Sequence, residues 1–217
     1  MQKAVIFDMD GVIVNNHHYH VKAWREFCAK KNIPFNEQEF RKRYFGKNNH
    51  DILSGLLNKD VSDNDVISLG EAKEALYREI YQPHIKPVEG LEELLKALKD
   101  AGMSLAVATS ARKPNLDFVV KSLKIEHYFD VMVDASMVKK SKPDPEIFLK
   151  SAFQMDVEPH DCIVFEDSVS GINAAKAAGM RVVALLTTHN REELPDAPLF
   201  VKDFTDRNLS NFLNINL

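Results

Sequence analysis

The stretch Phe7-Asp8-Met9-Asp10-Gly11-Val12 follows an apolar run, Ala4-Val5-Ile6, that is typical of a buried β-strand. Side chains two residues apart on a strand point to the same side, so both carboxylates are expected to face one side of the chain. Two anions 4 Å apart repel each other by roughly 4 kcal/mol at an effective dielectric of 20. A bound cation, a shared proton or a turn at Gly11 would offset this repulsion. Each of these suits an active site, although Asp and Gly are also ordinary turn formers and a plain turn is the alternative.

The composition is that of an ordinary globular protein. The chain has 217 residues, of which 45% are hydrophobic and 28% are charged, enough to bury a substantial core. Its net charge of −4 does not favour nucleic acid as a partner. No apolar run approaches the ~20 residues that span a bilayer, and no signal peptide precedes the first predicted strand, so we expect no membrane association.

The cysteine content favours a reducing compartment. Cys28 and Cys162 are too few and too far apart for a disulfide framework, and Cys162 lies in an apolar run where a core position is expected. We therefore expect a cytoplasmic protein, and we expect it to be a monomer.

Short β-rich apolar runs alternate with amphipathic segments along most of the chain. The predicted strands are 3–7, 104–108, 131–134, 162–165 and 181–186, and the predicted helices between them are 91–101, 115–123, 145–154 and 171–178. This alternation predicts an α/β fold, a Rossmann-like parallel sheet with helices on both faces. The near-continuous apolar strands fit a sheet that is covered on both sides.

One segment breaks the alternation, because residues 15–82 contain helical periodicity and no convincing strand. We therefore predict a core domain of residues 1–14 and 83–217, and an inserted all-helical cap domain of residues 15–82. An insertion that begins just after the paired carboxylates is expected to act as a lid over them. Its predicted apolar positions are Val21, Trp24, Phe27 and Cys28, then Ile52, Leu53, Leu56 and Leu57, then Ala72, Leu76 and Ile80.

Polar side chains follow four of the predicted strands. They are Asp8 and Asp10, the pair Thr109-Ser110, Lys142 in the loop 141–145, and Glu166-Asp167. Because the carboxyl ends of parallel strands meet at one edge of a sheet, we expect these groups to share a cleft. Clustered carboxylates without Cys or His favour Mg²⁺ over Zn²⁺. One carboxylate can attack phosphorus, a second can serve as acid and base, and hydroxyl and lysine groups can bind the phosphoryl oxygens, so the chemistry indicated is phosphoryl transfer.

The chain resembles the haloacid dehalogenase-like phosphotransferase superfamily, and within it the subgroup of β-phosphoglucomutase and sugar-phosphate phosphatases. The stretches that carry the resemblance are 7–12, 141–148, 165–168 and 170–180. It implies that Asp8 is the nucleophile and a Mg²⁺ ligand, and that Asp10 is the acid/base with its carbonyl on the metal. It also implies that Asp167 binds the metal with Glu166 beside it, as a ligand or just behind one. Thr109 and Ser110 would bond the transferring phosphoryl group, and Lys142 would neutralise it.

The resemblance also implies roles for residues outside these motifs. Trp24, Arg112 and Glu146 would contribute to substrate binding. His20 would position the acid/base aspartate, unless it is an ordinary capping or core histidine, and a zinc site with His17 has too few further ligands. Lys73 would face the substrate, unless it is a solvated helix charge.

Asn49 stands where the mutases carry an arginine that grips a second phosphate. Asparagine cannot form such a charged, bidentate contact, and Lys47 or His50 would replace it only weakly.

Three functions follow from these residues. The first is a Mg²⁺-dependent phosphatase of small phosphorylated metabolites, sugar phosphates above all. The second is a phosphohexomutase, in which a sugar hydroxyl instead of water accepts the phosphoryl group. The third, a non-catalytic sugar-phosphate-binding domain, predicts the loss of at least one key residue, and none of Asp8, Asp10, Lys142 and Asp167 is missing. The replacement of arginine by Asn49 favours the phosphatase.

Overall fold

The structure is a computed structural model that describes residues 2–44 and 49–216. In this part of the chain, six strands form one parallel sheet in the order β3-β2-β1-β4-β5-β6. The strands are β1 (Ala4–Phe7), β2 (Ser104–Ala108), β3 (Val131–Val133), β4 (Cys162–Glu166), β5 (Arg181–Leu185) and β6 (Leu199–Val201). The five predicted strands and the α/β class are confirmed.

The helices of the described chain are α1 (His17–Lys30), α2 (Glu37–Tyr44), α3 (Asn49–Leu57), α4 (Asp63–Tyr81), α5 (Leu91–Asp100), α6 (Lys113–Ser122), α7 (Glu146–Gln154), α8 (Val169–Ala177) and α9 (Asn208–Leu213). Short 3₁₀ turns lie at Gln82–His84, Glu126–Tyr128, Ala135–Met137, Pro159–Asp161 and Arg191–Glu193. None of the described helices is long and apolar enough to cross a membrane.

Contacts divide the chain into two compact units, of which Asn16–His84 is one and the rest of the chain is the other. This division at 15/16 and 84/85 lies one and two residues beyond the predicted boundaries at 14/15 and 82/83. The described part of the inserted unit is helical throughout, apart from its connecting loops. Its predicted action as a lid stays a prediction.

The core of the larger unit forms around the central strand β1, whose four residues are fully buried. Ala4 and Ile6 pack into one apolar cluster with Phe148 of α7 and Ile172 of α8. Phe7 points to the opposite side of the sheet, as the alternation of strand side chains requires. Its ring stacks on the ring of Phe165, with the two centroids 5.0 Å apart. Cys162 belongs to the same core, as predicted, and both cysteines are free and buried.

The strand order reverses at β1, which lies between β2 and β4. Phe7 pairs with Val107 on one side and with Phe165 on the other. The residues that follow these three strands therefore meet at one edge of the sheet, where open α/β sheets bind their ligands.

The sequence analysis missed β6. This strand has only three residues and lies at the sheet edge, where it pairs with β5 alone. So short a run, placed just after Pro198, does not stand out from a loop by its pattern.

The core of the inserted unit confirms two of its three predicted apolar stripes. Val21, Trp24, Phe27 and Cys28 of α1 are buried in one cluster with Ile52 and Leu53 of α3, while Leu56 and Leu57 are half-buried against it. The prediction for α4 holds for Leu76 alone, which packs half-buried against the same cluster. Ala72 is exposed, Leu76 and Ile80 are only half-buried, and the buried side of the helix is formed by Gly70, Lys73, Tyr77 and Tyr81.

Candidate active site

The site lies at the carboxyl edge of the sheet, where backbone hydrogen bonds continue past the strand ends. Asp8 N–H donates to the carbonyl of Phe165 at 3.0 Å, and Thr109 N–H donates to that of Val133 at 3.0 Å. These bonds place the nucleophile candidate beside the end of β4 and Thr109 beside the end of β3. Asp8, Thr109, Glu166 and Asp167 are all buried.

Lys142 joins two of these carboxylates. Its Nζ lies 2.6 Å from Asp8 Oδ1, 2.8 Å from Glu166 Oε1 and 3.2 Å from the carbonyl oxygen of Ala108. An ammonium group has three protons to donate, so these three acceptors account for all of them. The lysine side chain is only 5% exposed, and the charge is thus held in a fixed position.

Glu146 anchors the loop that carries Lys142. Its two carboxylate oxygens accept the N–H groups of Lys139 and Lys140, each at 2.9 Å. The structure therefore engages this side chain with the main chain of the loop, and its predicted contact with substrate stays a prediction.

Burial and mutual repulsion perturb the carboxylates. Burial raises the pKa of Asp8 to about 7, and the charges of Glu166 and Asp10 act in the same direction against the opposing attraction of Lys142. Burial also raises the pKa of Asp167 well above its usual range, with Glu166 and Asp8 adding to the shift. The pKa of Lys142 is raised, because the attraction of Asp8 and Glu166 outweighs the lowering effect of burial. One lysine therefore does not neutralise the carboxylates around it.

This surplus of negative charge fits a divalent cation bound by oxygen ligands. Gly11 allows the approach of Asp167 to the Asp10 turn, since a Cβ atom on Gly11 would lie 1.9 Å from Asp167 Oδ2. Within residues 2–44 and 49–216, no group of three or more His, Cys, Asp or Glu side chains is arranged to hold a metal ion alone. Mg²⁺ does not require such a group, because it keeps several water ligands and is bound by one or two carboxylates with substrate phosphate oxygens.

Glu166 is engaged on both of its oxygens. Oε1 accepts from Lys142, and Oε2 accepts from the N–H groups of Asp167 and Ser168 and from the Ser168 hydroxyl. A Cβ atom on Gly171 would lie 1.6 Å from Oε1, so this glycine makes room for the carboxylate. If a metal ion binds to this cluster, the arrangement favours a position of Glu166 just behind the candidate ligands over direct ligation.

The sequence analysis missed Thr187, Thr188 and His189, which follow β5 and contact the same cluster. Thr187 bonds to Gly11, and Thr188 and His189 bond to Asp167. The available signal was a hydroxyl pair directly after an apolar strand, the pattern that identified Thr109-Ser110.

The remaining predicted residues of the larger unit lie at its surface. Ser110 and Arg112 are exposed, and Arg112 immediately precedes α6. Thr109 differs, since its Oγ1 accepts the N–H of Ala111 at 3.0 Å and is thereby oriented.

Within the inserted unit, Lys73 is the centre of a polar cluster. Its Nζ lies 2.8 Å from His20 Nδ1 and 3.0 Å from Glu74 Oε1, and Asn49 Nδ2 donates to the same glutamate oxygen at 3.4 Å. The His20 ring stacks on Tyr77 with centroids 3.8 Å apart. Lys73 is 2% exposed, so the alternative of a solvated helix charge is wrong.

Two further predictions concern this unit. Trp24 was expected to bind substrate, but it is 3% exposed and packs in the apolar core against Phe27 and Phe40. Its large apolar side chain is therefore used for packing within the described structure. Lys47 lies outside the described residues.

Comparison with known proteins identifies the class of enzyme to which this site belongs. The family model for haloacid dehalogenase-like hydrolases matches residues 5–185, and the chain belongs to this family. The resemblance predicted from the sequence motifs is confirmed, and the protein is an enzyme whose relatives include phosphatases and β-phosphoglucomutases.

The curated relatives include several phosphatases. The chain is 31% identical to validoxylamine A 7′-phosphate phosphatase of Streptomyces hygroscopicus subsp. limoneus over 95% of this chain and 96% of the relative. It is 35% identical to the phosphorylated carbohydrates phosphatase of Thermotoga maritima over 82% of each chain.

The chain is also similar to a mutase of known structure. The β-phosphoglucomutase of Clostridium difficile superposes with a TM-score of 0.85 and 31% identity, covering 99% of this chain and 96% of the mutase.

Proposed function

We propose that this protein is a Mg²⁺-dependent phosphatase of small phosphorylated metabolites, sugar phosphates above all, and that it acts through phosphorylation of Asp8. The observation that carries the proposal is the pairing of Asp8 Oδ1 with Lys142 at 2.6 Å, inside a buried cluster of carboxylates. Lys142 orients the aspartate and offsets charge beside the oxygen that attacks phosphorus.

The reaction takes place in two displacements. In the first, an Asp8 carboxylate oxygen bonds to phosphorus, the bond to the leaving oxygen breaks, and Asp10 donates a proton to that oxygen. In the second, Asp10 takes a proton from water, the water oxygen bonds to phosphorus, and the bond between the Asp8 oxygen and phosphorus breaks, which frees the Asp8 carboxylate and inorganic phosphate. Thr109 supplies a hydrogen-bond donor for the phosphoryl oxygens, and the positive charge of Lys142 offsets their negative charge, during both displacements.

Asp8, Asp167 and the carbonyl of Asp10 are the groups proposed to hold Mg²⁺. The bound ion would neutralise charge on the phosphoryl oxygens and relieve the repulsion between the carboxylates. The all-oxygen donor set, the raised pKa values of Asp8 and Asp167, and the close packing of Gly11 on Asp167 support this assignment.

The alternative is a phosphohexomutase, and the similarity to β-phosphoglucomutase favours it. The two reactions share the phosphorylated Asp8 and differ in whether water or a sugar hydroxyl reaches it first. The phosphatase is preferred because Asn49 brings no charge, and because Lys73 is already paired with Glu74. Asn49→Arg is therefore expected to raise the ratio of mutase to phosphatase activity, and an unchanged ratio would count against this argument.

One panel with Mg²⁺ tests the proposal. Phosphate release is followed with several sugar monophosphates, and glucose 6-phosphate formation is followed from β-glucose 1-phosphate primed with a bisphosphate. Phosphate release that is lost in Asp8→Asn and retained in Asp100→Asn, an exposed control, supports the phosphatase. Fast isomerisation with little release supports the mutase, and turnover that survives Asp8→Asn contradicts the phosphoenzyme route.

A further inference from the structure

The loop after β5 reaches the acidic cluster through two consecutive threonines. Thr187 Oγ1 donates to the carbonyl oxygen of Gly11 at 2.5 Å. Thr188 Oγ1 donates to Asp167 Oδ2 and lies 3.1 Å from the carbonyl oxygen of Asp167. Neither threonine takes part in the displacements described above. Thr187 binds the turn that carries Asp10, and Thr188 binds Asp167 itself.

The two oxygens of Asp167 are not equivalent in this arrangement. A Cβ atom on Gly11 would lie 1.9 Å from Oδ2 and 3.0 Å from Oδ1, so Oδ2 is the oxygen that packs against the glycine. Oδ2 is therefore held between the Gly11 backbone and the Thr188 hydroxyl. Rotation of the carboxylate would break both contacts of Oδ2. The direction of Oδ1 is therefore fixed as well.

His189 completes the arrangement around the hydroxyl. Its Nδ1 lies 3.0 Å from Thr188 Oγ1 and 3.1 Å from the carbonyl oxygen of Asp167. A hydroxyl group has one proton and two lone pairs. With a proton assigned to Nδ1, the imidazole donates to the Thr188 hydroxyl or to the carbonyl oxygen of Asp167. The hydroxyl of Thr188 then donates its own proton to the Asp167 carboxylate.

We propose that Thr188 is a positioning residue for cation binding: its hydroxyl holds Asp167 Oδ2 and thereby presents Oδ1 to Mg²⁺. This inference rests on the proposed function, since it assigns the ion to Asp167. Groups that orient a metal ligand through a hydrogen bond affect metal affinity by about 10- to 100-fold when they are removed.

The fold around this loop has anchors of its own. Leu186 N–H donates to Val201 at 2.8 Å, and Asn190 N–H donates to Glu193 Oε2 at 2.8 Å. These bonds lie on either side of Thr188 and do not involve its hydroxyl. Removal of the hydroxyl is therefore expected to change the direction of Asp167 while the chain still folds.

The test is the affinity of the metal-free protein for Mg²⁺ alone, measured by calorimetry without substrate. We expect Thr188→Val to weaken Mg²⁺ binding by at least about tenfold and Thr188→Ser, which keeps the hydroxyl, to remain within about threefold of the original protein. Thr205→Val is the matched control, because Thr205 also donates to an aspartate, Asp203, but lies at an exposed turn. Its affinity for Mg²⁺ is expected to be unchanged.

The outcomes separate the two proposals. If the original protein does not bind Mg²⁺, the proposed function fails. If it binds and Thr188→Val binds equally well, or Thr188→Ser is as weak as Thr188→Val, only the role of Thr188 is contradicted. Should Thr188→Val not fold, Thr188→Ala is measured in the same way. Failure of both to fold would assign the hydroxyl to the fold and overturn the inference.

Discussion

Gly11 adopts a φ of +87°, a left-handed conformation that residues with a Cβ atom rarely adopt. The same residue packs against the Asp167 carboxylate, where a Cβ atom would be 1.9 Å from Oδ2. Two independent constraints therefore require glycine at this position. The first is the left-handed backbone conformation, and the second is the lack of space for a Cβ atom beside the Asp167 carboxylate.

Gly11→Ala separates these constraints when it is compared with Gly102→Ala. Gly102 also has a positive φ, +74°, but nothing lies within 4 Å of its ideal Cβ position. We expect Gly102→Ala to lose about 1 kcal/mol of stability with activity retained. Gly11→Ala is expected to lose at least this amount and, because Asp167 is displaced, to lose Mg²⁺-dependent turnover by about a hundredfold. Equal activity of the two variants in a steady-state assay would contradict this account.

At the scale of elements, α8 begins where β4 ends and its first turn holds Glu166. Ser168 caps the helix, since its Oγ accepts the N–H of Gly171, and it also donates to the Glu166 carboxylate. Gly171 is a buried residue in the first turn of this helix. It makes room for the Glu166 carboxylate, and that carboxylate holds Lys142.

Gly171→Ala is therefore expected to reduce kcat by at least about tenfold, although alanine favours helix formation over glycine by about 1 kcal/mol. The added Cβ atom would lie 1.6 Å from Glu166 Oε1 and would displace the anchor of Lys142. Asn173→Ala, on the exposed side of the same helix, is the control and is expected to keep its activity. Thermal unfolding of both variants shows whether the loss is local, and full activity in Gly171→Ala would contradict the anchoring role.

The error on α4 shows what periodicity can and cannot predict. The apolar stripe at Ala72, Leu76 and Ile80 has helical spacing, but the buried side of the helix is shifted by one residue and contains Lys73. A pattern of hydrophobic residues cannot identify a buried lysine whose charge is compensated by Glu74 and whose ammonium group lies over the Trp24 ring. By contrast, α1 had no buried charge on its apolar face, and its predicted stripe is confirmed.

Lys73→Met tests the importance of this buried charge. Removal of the ammonium group takes a partner from Glu74 and His20, so the free energy of unfolding is expected to fall by roughly 1–3 kcal/mol. Lys96→Met, an exposed substitution on α5, is expected to change it by less than about 0.5 kcal/mol. Chemical denaturation measures the free energy of unfolding of both variants. A Lys73→Met variant at least as stable as the original protein would show that the pairing does not stabilise the fold.

At the scale of the whole chain, residues 8, 109, 142 and 167 share one site because of the strand order. The alternation of strands and helices was enough to predict a parallel sheet, and a parallel sheet was enough to gather these residues at its carboxyl edge. The contacts of Thr188 with Asp167 could not be predicted, since they depend on the path of a loop. The same is true of Glu146, whose carboxylate accepts the N–H groups of Lys139 and Lys140 in the loop.

The carboxylates of the site couple the stability of the whole molecule to pH. Burial raises the pKa of Asp8 from 3.8 to about 7, so between these values the folded metal-free protein holds a proton that the unfolded chain releases. The contribution of Asp8 to stability is therefore greatest at low pH and is lost as the pH rises toward 7. Asp167, whose pKa is also raised, acts in the same direction.

The metal-free protein is expected to lose stability relative to Asp8→Asn between pH 5 and 7. The difference should be about 2–3 kcal/mol, since each pH unit in this range corresponds to about 1.4 kcal/mol for one proton. Mg²⁺ binds the ionised carboxylates and competes with protons, so its stabilising effect is expected to be larger at pH 8 than at pH 5.5. Denaturant titrations with EDTA or with Mg²⁺ at the two pH values measure both effects. If Mg²⁺ stabilises the protein equally at both values, or if the metal-free curves of the two proteins run parallel, then Asp8 does not titrate near neutral pH in the folded state.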